Sequence, residues 1–143
     1  MNSTPVEPLV QAEQHVSAQT LKVLLVEDSL VLAERLTELL VSCPGVVVAA
    51  VVDSEPLAIA EIRRGAIDVV VLDLHLRQGT GFGVLRAARL LARPPAVIVL
   101  TNYDLVEYRN AAAALGARAF FDKAHEMNRL PEAISQLVHS DRS

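Results

Sequence analysis

Glu27, Asp28, Asp73, Thr101 and Lys123 are the residues of this chain best suited to chemistry, and all fall at or just beyond the ends of short apolar runs. Three carboxylates gathered in one crevice repel one another and either take up protons or recruit a cation. A hard divalent ion such as Mg2+, held by one or two carboxylates with backbone oxygen and water, resolves that conflict. Lys123 stands out because the chain uses two lysines against eleven arginines. A compact ammonium there can neutralise a carboxylate or a bound phosphoryl oxygen. Thr101 adds a short hydroxyl donor. Cation, ammonium and hydroxyl together can receive the three peripheral oxygens of a phosphoryl group, with Asp73 as the attacking oxygen, which is nucleophilic catalysis giving an aspartyl phosphate.

The elements that must position these residues are legible in the pattern. Five apolar runs, Val23–Val26, Val46–Val52, Val69–Leu72, Ala96–Leu100 and Ala119–Phe121, read as strands. Most are continuous and β-branched, as strands covered by helices on both faces should be. Between them lie segments with apolar residues at i, i+3, i+4 spacing. These are Leu32, Leu36, Leu39 and Leu40; Leu57 and Ala60, with Glu61 and Arg64; Phe82, Leu85, Ala88 and Leu91; and Leu105, Tyr108, Ala112 and Leu115. A fifth helix is predicted near Pro131 to Val138, with Pro in its first turn. Ser54 and Asp104 suit helix N-caps, and Gly65 and Gly116 suit C-terminal stops. Strand and helix alternate as (βα)5, the signature of a parallel sheet. Right-handed crossovers bring the strand ends to one edge. If the strand order is 2-1-3-4-5, Glu27, Asp28 and Asp73 converge at the topological switch point.

Composition narrows the function classes. The chain has 143 residues and a net charge of −4, which fits one compact domain. No apolar run approaches the roughly 18–20 residues of a membrane-spanning helix. The first 20 residues carry Glu7 and Glu13 but no Lys or Arg, so they do not read as a secretory signal, and a cytoplasmic location is expected. The acidic balance argues against direct nucleic-acid binding. The single cysteine, Cys43, reads as packing. Residues 1–20 read as a flexible leader, or one holding a short helix around Val10 to Val16, and residues 140–143 as a tail.

Five segments carry a resemblance to the receiver domain of two-component response regulators: Val23-Leu24-Leu25-Val26-Glu27-Asp28-Ser29, Val70-Val71-Leu72-Asp73-Leu74, Gly79-Thr80-Gly81-Phe82, Val99-Leu100-Thr101 and Ala117-Arg118-Ala119-Phe120-Phe121-Asp122-Lys123. Together they are specific in order and spacing, and the resemblance covers residues 21–139. It implies a flavodoxin-like, doubly wound five-stranded sheet of order 2-1-3-4-5. It also implies Glu27 and Asp28 as the acidic metal pair and Asp73 as phosphoacceptor and third acidic ligand. His75 would complete a Mg2+ shell through its backbone carbonyl, Thr101 would be the switch hydroxyl, Lys123 the phosphoryl-sensing ammonium and Phe120 the aromatic switch. The implied partners are a histidine kinase or histidine phosphotransfer protein and a downstream protein target. A weak homodimer through the fourth and fifth elements would use charges among Asp104, Glu107, Arg109, Arg118 and Asp122. The family commonly has proline after the lysine with a cis bond before it; Ala124 stands here, so a trans peptide is expected.

Other residues carry blander readings. Asp53 reads as a cap of the helix that follows it and is left out of the site. Gly79, Gly81 and Gly83 read as loop flexibility, since they do not directly open a helix as a dinucleotide fingerprint would. Arg86, Arg89 and Arg93 read as a solvated helix face, the His75 side chain as solvent-facing, and Tyr103 as a gate to the site. The competing functions are an aspartyl-phosphate-forming phosphohydrolase, against which His75 stands where a second Asp is needed, and a flavodoxin-type redox carrier. The acidic loop after the first strand lacks the donors that carrier needs for a phosphate. Apart from its own phosphorylation and dephosphorylation, no enzymatic activity is expected. No polar linker follows Val138, where only Ser140-Asp141-Arg142-Ser143 remain, so a stand-alone regulator is expected ahead of a relay intermediate or a receiver cut from a longer protein.

Overall fold

The computed structural model describes residues 20–140. Residues 1–19, where a short helix around Val10 to Val16 is one expectation, lie outside the described residues, as do residues 141–143. Strands β1 (Leu21–Val26), β2 (Val46–Val52), β3 (Val69–Leu72), β4 (Ala96–Thr101) and β5 (Ala119–Asp122) pair in parallel. Their order is β2-β1-β3-β4-β5. Helices α1 (Leu30–Val41), α2 (Glu55–Arg63), α3 (Gly81–Arg89), α4 (Val106–Ala114) and α5 (Leu130–Ser140) fill the connections. The five-stranded doubly wound fold is the expected one.

The sheet separates two apolar layers. Val23 and Leu25 of β1 pack with Leu36 and Leu40 of α1 and Leu130 and Ile134 of α5. Leu24 and Val26 face the opposite side with Ala58 and Ile62 of α2, Val84 and Leu85 of α3, and Ala112 of α4. Successive strand residues point to opposite faces, so a strand covered on both sides must be apolar throughout. Edge strands are less covered: Val47 and Val51 of β2 are about half exposed, and β5 is only partly buried. In α2 the buried pair is Ala58 and Ile62, while Leu57 is 53% exposed, so the stripe sits one position along from the one the sequence suggests.

Caps set the element ends. The Ser29 and Ser54 hydroxyls accept from the Leu32 and Leu57 amides at the starts of α1 and α2. Asp104 does not cap α4; Leu105 holds that position and makes no side-chain bond. Asp53 does not cap α2 either, and forms an ion pair with Arg77 at 3.2 Å. Gly65 and Gly116 take positive φ just past α2 and α4, as expected. Arg89 is not simply solvated: its guanidinium donates to the Ala114 carbonyl at 2.9 Å, at the negative end of α4.

The glycine cluster is a packing device rather than a flexible loop. Thr80 at the start of α3 makes no side-chain cap, and the Glu55 carboxylate supplies one from α2 by accepting the Thr80 amide at 2.9 Å. A Cβ on Gly79 or Gly83 would run into Glu55, and Gly79 also has φ of +81°. The same strap includes the Glu55 amide donating to the Gln78 carbonyl at 2.9 Å and the Arg77 amide donating to the Asp53 carbonyl at 3.3 Å. The β3–α3 loop is therefore tied to the β2–α2 loop.

Gly79→Ala is expected to destabilise by at least the roughly 1–2 kcal/mol of a left-handed side-chain conformation. In Gly83→Ala the helical gain of about 0.5–1 kcal/mol offsets most of the lost Glu55 cap, worth about 1 kcal/mol. Urea unfolding of the two variants checks the contrast; a freely flexible loop would instead be stabilised by both.

Candidate functional site

Parallel register brings the chemistry together. Val26 of β1 lies opposite Leu72 of β3, so the next residues, Glu27 and Asp73, leave the sheet side by side. Thr101 closes β4 opposite Asp122, and Lys123 follows at once. The Lys123 ammonium reaches back to Glu27 Oε1 at 2.6 Å and Asp73 Oδ2 at 2.9 Å, with all three side chains 7% exposed or less. Ligand oxygens of Glu27, Asp28 and Asp73 all lie within 4.8 Å of one another.

The carboxylates are not equivalent. Glu27 has both oxygens engaged, since Oε2 accepts the Ser29 amide at 3.0 Å. Asp73 Oδ1 accepts the His75 amide at 3.3 Å. Asp28 is half-buried and makes no bond among the described residues, so its oxygens are open. Burial pushes the Glu27 carboxyl above its ordinary range, against the pull of Lys123 and the Ser29 amide. Burial also works to discharge Lys123, but Glu27 and Asp73 outweigh it and hold the ammonium above its usual value. Three carboxylates against one ammonium leave two negative charges, and oxygen donors at this spacing suit a hard divalent cation.

Thr101 is fully buried, and its Oγ1 accepts the Tyr103 amide at 3.4 Å. The exposed His75 side chain stacks on the Tyr103 ring, with centroids 3.7 Å apart. Tyr108 and Phe82 continue this aromatic strip toward α3 and α4, with their rings 5.7 Å apart. In place of a proline turn, Lys123–Glu126 forms one helical turn capped by Asp122, which accepts the Ala124 amide at 2.9 Å. No cis peptide occurs among the described residues. Of the five charges suggested for a dimer face, Asp104 and Arg109 pair with each other at 2.6 Å and Asp122 pairs with His125 at 2.9 Å, so three are already used within the chain.

Sequence reasoning missed Arg109 as a junction. It also binds the Phe120 carbonyl and Glu126, and its guanidinium carbon stands 4.7 Å from the Phe120 ring centroid. The available signal was its isolation as the sole cation of the otherwise Ala-rich segment Val106–Ala114.

Fold and crevice together define an α/β protein of the doubly wound, flavodoxin-like class with an acidic pocket at its switch point. Residues 23–135 match the family described as Response regulator receiver domain, and the chain belongs to that family. Among curated relatives, the sensory transduction protein LytT of Bacillus anthracis is 27% identical over 123 residues, covering 86% of this chain and 49% of that protein. Protein-glutamate methylesterase/protein-glutamine glutaminase 6 of Anaeromyxobacter dehalogenans is 39% identical over 102 residues, covering 71% and 29%. The chain thus spans half or less of these proteins. A LuxR-family two-component response regulator from Aurantimonas has the same fold, with a TM-score of 0.77, 24% identity and coverage of 85% and 86%. The Staphylococcus aureus LuxR-family DNA-binding response regulator gives 0.76, 23%, and 82% and 98%. Among the described residues no helix is long and apolar enough to cross a membrane.

Replacing Lys123 with Met strands two buried carboxylates, at a cost of about 3–5 kcal/mol. In that variant the Glu27 carboxyl, already raised by burial, loses the Lys123 ammonium that pulls it down, so the folded state binds more protons than the unfolded one and stability recovers as pH falls. Unfolding in chelator should show the deficit larger at pH 8 than at pH 5.

Proposed function

We propose that this receiver accepts a phosphoryl group on Asp73 from a histidine kinase or histidine phosphotransfer protein, with Mg2+ as cofactor, and signals through a protein-binding surface. The observation that carries this reading is the buried Lys123 ammonium spanning Asp73 and Glu27 beside the open carboxylate of Asp28. Asp28 and Asp73, with Glu27 and the His75 backbone carbonyl, would hold the ion, whose chemistry is to neutralise phosphoryl oxygens.

Attack by an Asp73 oxygen forms the O–P bond as the P–N bond to the donor imidazole breaks, and the imidazole nitrogen takes up a proton. Lys123, already 2.9 Å from Asp73, exchanges that carboxylate contact for a phosphoryl oxygen. The Thr101 hydroxyl, whose oxygen already accepts a bond, has its proton to donate to a second oxygen. Movement of Thr101 lets Phe120 repack, so that the face of α4, β5 and α5 has two arrangements. Tyr103, stacked on His75, would gate access to the crevice on this reading. The surface would serve a downstream protein or a weak homodimer, with no direct nucleic-acid contact, in the cytoplasm. Beyond its own phosphorylation and dephosphorylation the domain carries no enzyme activity on this reading. Nothing at the site favours phosphohydrolase chemistry, since His75 is stacked where a second acid would be needed.

Intact-mass analysis with a small phosphodonor and Mg2+ should show one phosphoryl group on the protein and none on Asp73→Asn. Phosphate retained by Asp73→Asn would refute the assignment. Asp28→Asn should weaken Mg2+ by more than the roughly tenfold that loss of an outer-shell partner costs, read by Mg2+ titration.

A further inference from the structure

We infer that Arg109 is the positioning residue of the switch, its guanidinium holding Phe120 in the half-buried place it occupies before phosphorylation. This rests on the receiver reading above and names how that same site would be restrained.

The contacts of Arg109 span three elements. Nε donates to Asp104 Oδ1 at 2.6 Å in the loop ahead of α4. Nη1 donates to the Phe120 carbonyl at 3.3 Å, and Nη2 to Glu126 Oε1 at 3.4 Å in the turn after Lys123. The guanidinium carbon also lies over the Phe120 ring, 4.7 Å from its centroid. Glu126 is tied in turn: Oε1 accepts the Asp122 amide at 2.9 Å and Oε2 accepts from Arg129 at 3.0 Å. A contiguous path therefore runs from Arg109 through Glu126 to the backbone beside Lys123, whose ammonium touches Asp73.

Arginine suits this place as lysine would not, because its planar fork can bond two carboxylates and a carbonyl while its face rests on a ring. The pair with Asp104, reinforced by Glu126, holds the guanidinium charged despite some desolvation. Each exposed ion pair is weak by itself. Here several share one group, and α4 has one fully buried residue, Ala112, beside the Arg89 bond and the Tyr108 ring contact that also hold it. A contact made in only one of two arrangements opposes the other by its own free energy, and removing it shifts the balance by the same factor. An Arg109 serving only to stabilise α4 would change unfolding and leave affinity for an activating ligand unmoved.

The test uses the full chain labelled with 4-fluorophenylalanine, which reports on Phe82, Phe120 and Phe121, together with titration of beryllofluoride in Mg2+. In metal-free Arg109→Ala the Phe120 resonance should shift while Phe82 stays in place, and beryllofluoride should bind about tenfold tighter, within the usual range of coupling between sites. Arg109→Lys, which keeps the charge and loses the fork, should fall between. If Arg109→Ala fails to fold, Asp104→Ala removes the acceptor of the shortest bond without touching Phe120 and should give the same changes at smaller size. An unmoved Phe120 resonance overturns the inference, and so does a moved resonance with affinity within twofold of the parent. A parent chain that ignores beryllofluoride while Phe120 still responds to Arg109→Ala sinks the phosphoacceptor reading and the switching role with it, leaving the hold on Phe120 a purely structural one.

Discussion

The structure depends on one buried ammonium. Lys123 sits between Glu27 and Asp73, and without it two carboxylates would face each other in a crevice that excludes most water. Buried ion pairs add little net stability, because desolvation consumes most of the Coulomb gain. Their value lies in specifying an arrangement. This one fixes the end of β5 against the ends of β1 and β3 and still leaves the crevice short of positive charge. That residual charge, with Asp28 open beside it, is the feature on which the proposed Mg2+ and phosphoryl chemistry rests.

The loop behind Asp73 is braced from a neighbouring helix and loop. Glu55 caps α3 from another helix, the Asp53–Arg77 pair flanks it, and glycines at 79 and 83 leave room for the carboxylate. The His75 amide that donates to Asp73 belongs to this braced segment. Rigidity here contrasts with α4, which relies on polar ties through Arg109 and Arg89 more than on buried apolar surface. A braced site beside a helix with little buried apolar surface is the division of labour that the proposed two-state surface would need.

Much of this was legible in the sequence. Continuous apolar runs separated by helical periodicity determined a parallel (βα)5 sheet, and the polar residues behind those runs determined which side chains would meet. That follows because strand period and crossover handedness leave few topologies. The acids, the hydroxyl and the lysine could be named without coordinates because a parallel sheet gathers its strand ends on one edge. Tertiary structure alone decided how they share charge: Glu27 is spent on Lys123 and Ser29 while Asp28 stays open, and no linear pattern encodes which oxygen faces which donor. It also decided that Gly79 and Gly83 make room for Glu55, that Asp53 and Asp104 pair with arginines instead of capping helices, and that Arg109 lies over Phe120. Those contacts join residues on separate elements or across a helix end, where side-chain reach and local desolvation, rather than periodicity, choose the partner.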